Sequence, residues 1–373
     1  MTASPILLAT VGTSMLGNLK TLKAEDQPEL LRAFVARDWQ ALGRALADLP
    51  GNLPVCGAEV NSVASMIEHG YAARDCGIFF FHSDTDDGRN LAGALTECFR
   101  RRGHAPVEAV QVPDLQDSDP RRFRTHGLRN LARLLCKTIR ERSAQACAIN
   151  ATGGYKAQIA IAVLLGQAIG VPVYYKHERF SEIIAFPPMP VALDFNVWMK
   201  SSGVLNVLAK LSEPVPVSEF EDEWDEKFES LVERVPIDGQ EYVELAATGQ
   251  IFHETFRERF RSHRDQLLPP HAAASQKKKP QLEKAGWPGE HPEVERFMQA
   301  VTDEVPQVIQ CRTHYYNPDL RRPTRFRMSS RGIECLFSQG NYAVKFIVET
   351  TATTEGQKEA MVASLNEWLE ERG

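Results

Sequence analysis

Residues 146–169, ACAINATGGYKAQIAIAVLLGQAI, decide how this chain is read. A short apolar run meets a turn of small polar residues and two glycines, and a long apolar helical pattern follows. A strand handing over to a helix in this way is the repeating unit of a parallel, doubly wound sheet. Gly153 and Gly154 let backbone approach a ligand with no Cβ in the way. The helix that follows offers unpaired N–H groups and the positive end of a dipole. Lys156 adds a cation, while Asn150 and Thr152 add neutral hydrogen-bonding groups. That set suits a phosphate, a ribose or a nucleobase; a purely structural strand–helix turn is the alternative.

Working outward, the same alternation runs through the first 190 or so residues. PILLATVG, CGIFFFHS, PVEAVQV, ACAINAT and PVYYKH read as strands, with helical patterns at roughly 28–48, 57–73, 89–102, 121–144 and 155–169 between them. Near-continuous apolar strands alternating with helices predict a parallel sheet covered on both faces, a Rossmann-like α/β domain over 1–195. EIIAFPP after VYYKH predicts an antiparallel edge hairpin. Residues 196–264 change character: an amphipathic helix, a very acidic helix at EFEDEWDEKFESLVERV, then a strand turning into a helix, a winged-helix-like order. Residues 265–290, rich in Pro, Ala, Lys and Gly, read as a linker or basic arm. From 291 to 373 a helix, four strands and a closing helix predict a small α+β domain, with SQGN as a hairpin turn.

The 373 residues suffice for two or three domains, and 43% hydrophobic with 25% charged residues is ordinary for globular proteins. No apolar run is long enough to span a membrane, and MTASPILLATVG lacks the basic start of a signal peptide, so no membrane partner is expected. Seven scattered cysteines with no CxxC spacing point away from disulfides and zinc, and toward the cytoplasm. Residues 213–244 carry twelve acidic and two basic side chains, a net −10, whereas 312–345 carry seven basic and two acidic ones, a net +5. The basic end fits a polyanionic partner or a solvated face.

Three polar loops follow predicted strands: Gly12, Thr13 and Ser14 after the first, His82 to Gly88 after the second, and NATGGYK after the fourth. Neither GxGxxG nor a P-loop is present. The pairing of GTS with NATGGYK over residues 5–190 resembles the CARF family, Rossmann-like sensor domains of CRISPR defence systems. The resemblance implies a homodimer and an activating ligand, a cyclic oligoadenylate made by a type III CRISPR complex, with cyclic tetra-adenylate as the expected ring. A ring of even symmetry fits across a two-fold axis between identical subunits. By the same resemblance Gly12, Thr13, Ser14, Thr152, Gly153, Gly154 and Lys156 contact the ring, and Asn150 joins them as a ligand-binding candidate on its hydrogen-bonding groups. Asp84 is either a further ribose contact or a cap for the next helix. No cofactor and no metal are implied.

A sensor of this kind is normally joined to an output. Arg121 and His126 match the RxxxxH spacing of HEPN ribonucleases but fall inside the Rossmann portion, and GIECLF lacks the lysine of a PD-(D/E)xK nuclease. What remains is a basic sheet. Arg325 and Arg327 flank Phe326 and share one strand face; Arg312, His314 and Tyr316 are expected to share another, with Lys345 on the last strand. Such a surface cleaves RNA without metal when cations stabilise charge on the phosphate and the 2′-OH attacks. The segment 275–355 is similar to the RelE fold of ribosome-dependent mRNA-cleaving toxins. This implies a metal-independent endoribonuclease with Arg312, Arg325, Arg327, Tyr316 and Lys345 as catalytic candidates, Lys277, Lys278 and Lys279 as loose counterparts of upstream lysines, and ribosome-bound mRNA as substrate. That family's closing Arg and Tyr are missing after the last strand. The alternative is a ligand-controlled transcription regulator that uses the winged-helix-like segment, against which the net −10 at 213–244 argues.

Overall fold

The computed structural model describes residues 3–23, 25–177, 180, 182–188, 194–220, 223–283, 291–320, 322–339 and 342–372. The chain divides into two units, Met1–Ala192 with Ala246–Ile251, and Leu193–Leu245 with Phe252–Gly373.

The first unit alternates as its sequence predicts: β1 (Ser4–Thr10), α1 (Ser14–Lys20), α2 (Pro28–Val35), α3 (Trp39–Ala47), α4 (Gly57–Glu68), β2 (Ala72–His82), α5 (Asp86–Arg101), β3 (Val107–Gln111), α6 (Pro120–Arg122), α7 (Leu128–Arg142), β4 (Cys147–Asn150), α8 (Lys156–Ile169), β5 (Val173–Tyr175) and β6 (Ile184–Phe186). The sheet order is β3-β2-β1-β4-β5-β6. Every pairing is parallel except β5 with β6, the expected edge hairpin. Strand order therefore runs outward in both directions from the β1–β4 pair. There the connections leave to opposite sides, and a crevice opens at the carboxyl ends.

Alternate residues of the central strands feed two cores. Leu7, Ile78 and Phe80 pack with α2 to α5, whereas Leu8, Phe79, Phe81 and Ile149 pack with α7 and α8. Burial on both faces is why these strands read as unbroken apolar runs. Each such side chain contributes roughly 1.5–3 kcal/mol by leaving water. The helix expected over 28–48 is two helices: Arg37 turns left-handed at φ 53°, and Asp38 caps α3 by accepting from Ala41 N at 2.8 Å.

The second unit contains α9 (Phe195–Lys210), β7 (Val215–Pro216), β8 (Val232–Ile237), β9 (Gln240–Leu245), α10 (Ala247–Leu267) from Phe252 onward, α11 (Pro292–Glu304), β10 (Val308–Asn317), β11 (Arg325–Ser329), β12 (Gly332–Gln339), β13 (Tyr342–Thr350) and α12 (Glu355–Arg372). A three-stranded sheet runs β7-β9-β8 and a four-stranded antiparallel sheet runs β10-β13-β12-β11. The turn predicted at SQGN includes residues 340 and 341, which lie outside the described residues; the strands it joins pair from Gln339↔Tyr342.

Two expectations fail here. The acidic stretch is not a helix: its described residues form short 3-10 turns at Val217–Glu219 and Glu226–Leu231, then strand β8. Like charges at i,i+4, such as Glu219 with Glu223 and Asp225 with Glu229, disfavour a helix. Asp238 and Gly239, both at positive φ, form the tight turn joining β8 to β9. The winged-helix-like order therefore loses its second helix. Nor is 265–283 a free arm. Its backbone bonds along the first strand of the four-stranded sheet through Lys278 N to Ile309 O, Gln281 N to Cys311 O and Thr313 N to Gln281 O, and Lys277 Nζ donates to the carbonyls of Thr302 and Val305 at the end of α11. Residues 284–290 lie outside the described residues.

One face of the four-stranded sheet packs Phe326, Cys335, Val344 and Phe346 against α11 and α12. The other face is polar, and its β11 edge is buried. Arg325, 1% exposed, donates to Glu223 Oε1 from Nε at 2.9 Å and Nη2 at 2.6 Å, with its guanidinium 5.1 Å from the Phe220 ring. Arg327 donates to Glu223 Oε1 at 3.1 Å and, through Nε and Nη2, to Glu334 Oε2 at 2.9 and 2.7 Å. Glu223 thus serves two buried arginines, and truncating it leaves both under-compensated. Glu223→Ala is expected to cost about 3–5 kcal/mol in urea denaturation of the full chain; an unchanged midpoint would contradict the network.

Among the described residues, all seven cysteines are buried and free, and no helix is long and apolar enough to cross a membrane.

Candidate functional site

In the first unit the floor of the crevice is built from two loops meeting backbone to backbone. A Cβ on Gly12 would stand 2.5 Å from Gly154 N; one on Gly153 would collide with Glu59 and lie 2.7 Å from Thr10 O. Thr10 Oγ1 donates to Gly153 O at 2.6 Å, and Gly12 N donates to Glu59 Oε1 at 2.7 Å. Gly154 sits at φ 103°, a left-handed conformation that favours glycine. Asn150 is fully buried beneath this floor, donating to Ser62 Oγ at 2.8 Å and accepting from Thr152 Oγ1 at 2.6 Å. Thr152 Oγ1 in turn accepts from Lys176 N at 3.1 Å, tying the end of β5 to the turn.

Above the floor lies a cavity of about 440 Å³, lined by Gly12, Thr13, Ser14, Thr152, Gly153 and Gly154, with Ala58, Ser83, Tyr155, Tyr175, Lys176 and His177. A second cavity of about 550 Å³ shares Ser14, Ala58 and Lys176 and adds Asn18, Asn52 and Asn61. Thr13 and Ser14 are exposed at the start of α1, and the Thr13 side chain makes no cap hydrogen bond.

Six of the nine residues expected to bind a ligand therefore line one cavity, and three do not. Asn150 holds the floor from below. Lys156 is exposed at the start of α8, outside the lining. Asp84 faces the β3 end, accepting from Gln111 Nε2 and from Asp114 N. It does not cap α5 either; Thr85 does, accepting from Gly88 N at 3.1 Å. Among the described residues, the lysine lining the cavity is instead Lys176, accompanied by His177. Both follow β5 in PVYYKH, so the rule that ligands bind beyond strand ends applies to them as much as to NATGGYK.

Glu59 is 2% exposed, and burial raises its carboxyl pKa above the ordinary value, partly countered by the Gly12 N–H bond. A carboxyl whose folded pKa is raised favours the fold most below its unfolded pKa, and that contribution is lost as pH climbs through the folded value. Glu59→Gln keeps an oxygen for Gly12 N–H and removes the charge. Its melting temperature is expected to exceed wild type at pH 8, with a flatter profile above pH about 4.5; equal profiles would show that Glu59 bears no such strain.

In the second unit the polar sheet face carries two cross-strand rows, Arg327–Glu334–Ile347–Arg312 and Arg325–Leu336–Lys345–Tyr315. A register shift between Thr313 and Tyr315 puts both His314 and Tyr315 on this face. The expectation that Arg312, His314 and Tyr316 share a face is corrected by that bulge: Tyr316 turns to the core side, its ring 5.3 Å from His291 and 5.7 Å from Tyr342. Arg312, paired with Glu349, and Lys345, 5.0 Å from the Tyr315 ring, are the candidates brought together in the more open part of the face. Arg325 and Arg327 lie on the same face but do not look onto an open surface. Lys278 and Lys279 are exposed, whereas Lys277 caps α11. Arg121 is exposed on α6, and His126, in the π-turn Phe123–Gly127, bonds Thr125 Oγ1.

The first unit is thus a Rossmann-like α/β unit with a ligand-sized cavity at its switch point. Residues 54–189 match a protein family described as CRISPR-associated protein (Cas_APE2256). That similarity supports a CRISPR-associated protein, and the matched stretch contributes Ala58, Ser83, Thr152–Tyr155 and Tyr175–His177 to the cavity. No curated protein matches the chain.

Proposed function

We propose that the protein is a cyclic oligoadenylate-activated endoribonuclease of type III CRISPR antiviral defence, with a CARF-like sensor in its first unit and a RelE-like effector in the sheet of its second. The glycine-floored cavity at the β1–β4 switch point, in a chain similar to a CRISPR-associated family, is the observation that carries this reading. The neighbouring cavity sharing Ser14, Ala58 and Lys176 makes room for more than a mononucleotide. Hydroxyls from Thr13 and Ser14, backbone at Gly153 and Gly154 and the Lys176 cation match the chemistry of phosphates and sugar. A cyclic tetra-adenylate spans two such cavities across a two-fold axis, so the working form is a homodimer.

On the effector side, Arg312 and Lys345 supply cations for the scissile phosphate, and the 2′-OH of the substrate supplies the nucleophile, so the reaction proceeds without metal. Arg325 and Arg327 support the face from its buried edge. The substrate is mRNA on the ribosome. Activation requires the ring to bind two states of the dimer with different affinity.

The test is in vitro translation with and without cyclic tetra-adenylate, followed by mapping of mRNA ends. Ligand-dependent cuts in ribosome-bound mRNA, lost in Lys176→Ala together with the thermal stabilisation by ligand, are expected. Tight binding with no cleavage of any RNA would leave a sensor with a different output. Absence of stabilisation by every cyclic oligoadenylate would overturn the reading entirely.

A further inference from the structure

We infer that His314 is the proton-transfer residue of the second unit's polar sheet face, and that Glu334 is the residue that positions it; this rests on the ribonuclease reading above. The bulge between Thr313 and Tyr315 inserts His314 out of register with β13. From there its ring reaches across to β12, where Nε2 lies 2.8 Å from Glu334 Oε1. Bulges re-aim side chains in this way and concentrate beside active sites.

Glu334 is itself fixed. Its other oxygen takes two N–H bonds from Arg327, which Glu223 holds from behind. The buried charges thus form a rigid chain ending at an imidazole that is 18% exposed. With Nε2–H given to Glu334, the lone pair sits on Nδ1, which has no hydrogen bond among the described residues. Lys345 and Tyr315 are neighbours across the β10–β13 ladder, and Arg312 precedes the bulge. A carboxylate that orients an imidazole, with cations alongside, is the arrangement proton transfer needs.

The step balances without a further reactant. His314 Nδ1 takes the 2′-OH proton as the 2′ oxygen bonds to phosphorus. The bond from phosphorus to the 5′ oxygen breaks, and that oxygen takes a proton from the Lys345 ammonium. The products are a 2′,3′-cyclic phosphate and a 5′-hydroxyl; exchange with water restores both side chains.

The experiment uses the full chain with cyclic tetra-adenylate and translating ribosomes. His314→Ala is expected to lose about 10²–10⁴-fold in cleavage rate, to keep its melting temperature, and to regain activity when imidazole is added. Glu334→Asp, which keeps a carboxylate for Arg327, is expected to lose less than His314→Ala, mostly in kcat rather than KM. A folded His314→Ala that cuts at the wild-type rate, or one that imidazole does not restore, overturns the assignment while leaving the ribonuclease reading intact. Wild-type protein that cuts no RNA overturns both.

Discussion

The close approach of two glycine loops, Gly12 against Gly153 and Gly154, is the constraint on which the first unit turns. Chain segments some 140 residues apart come within backbone contact because neither carries a Cβ at the meeting point. Everything around them is arranged to keep that approach. Thr10 bonds one loop to the other, Glu59 takes the Gly12 N–H, and Asn150 fills the space below with its own polar groups satisfied. The cavity is what remains above a floor made almost entirely of backbone. Such a floor favours ligands that bring their own hydrogen-bonding and charged groups over ligands held by shape and apolar contact.

The second unit rests on a different principle. Its polar sheet face is stabilised by opposite charges drawn partly from distant sequence, with Glu223 from the acidic stretch bridging Arg325 and Arg327 in the basic one and Glu334 supplying the second negative charge. Some of the net −10 and some of the net +5 along the chain therefore belong to a single internal pairing. A positive segment is poor evidence of a polyanion surface when its counterions lie inside the same unit. The sheet nonetheless keeps Arg312 and Lys345 on its more open area, where the bulge also brings His314.

What the sequence makes legible follows from which forces are local. The strands of the first unit, its edge hairpin and most of its helices are readable because burial on both faces writes itself into continuous apolar runs. Gly12, Thr152, Gly153 and Gly154 are readable as cavity lining because glycine-bearing loops just past strand ends mark where backbone comes close and where a crevice opens. Lys176 and His177 obey the same rule and escape notice because no glycine marks them. The acidic stretch misleads because its helical period stands out more than the like charges four apart or the Asp238–Gly239 turn that follows. The burial of Arg325 and Arg327 is not legible at all, since it depends on a carboxylate roughly a hundred positions away. Nor is the face of Tyr316, because one inserted residue inverts the alternation beyond it.

The Glu223 pairing also bears on what counts as a transferable module. A boundary drawn at residue 291 looks natural, since helix, four strands and helix then form a tidy unit. A fragment cut there would strip Arg325 of its carboxylate and leave Arg327 with Glu334 alone, and its β10 would lose the strap of residues 265–283 that bonds along it. The smallest piece that recombination could move intact between proteins therefore starts upstream, near α9. Any fusion that inherited only the sheet would have had to evolve a new carboxylate in the place of Glu223.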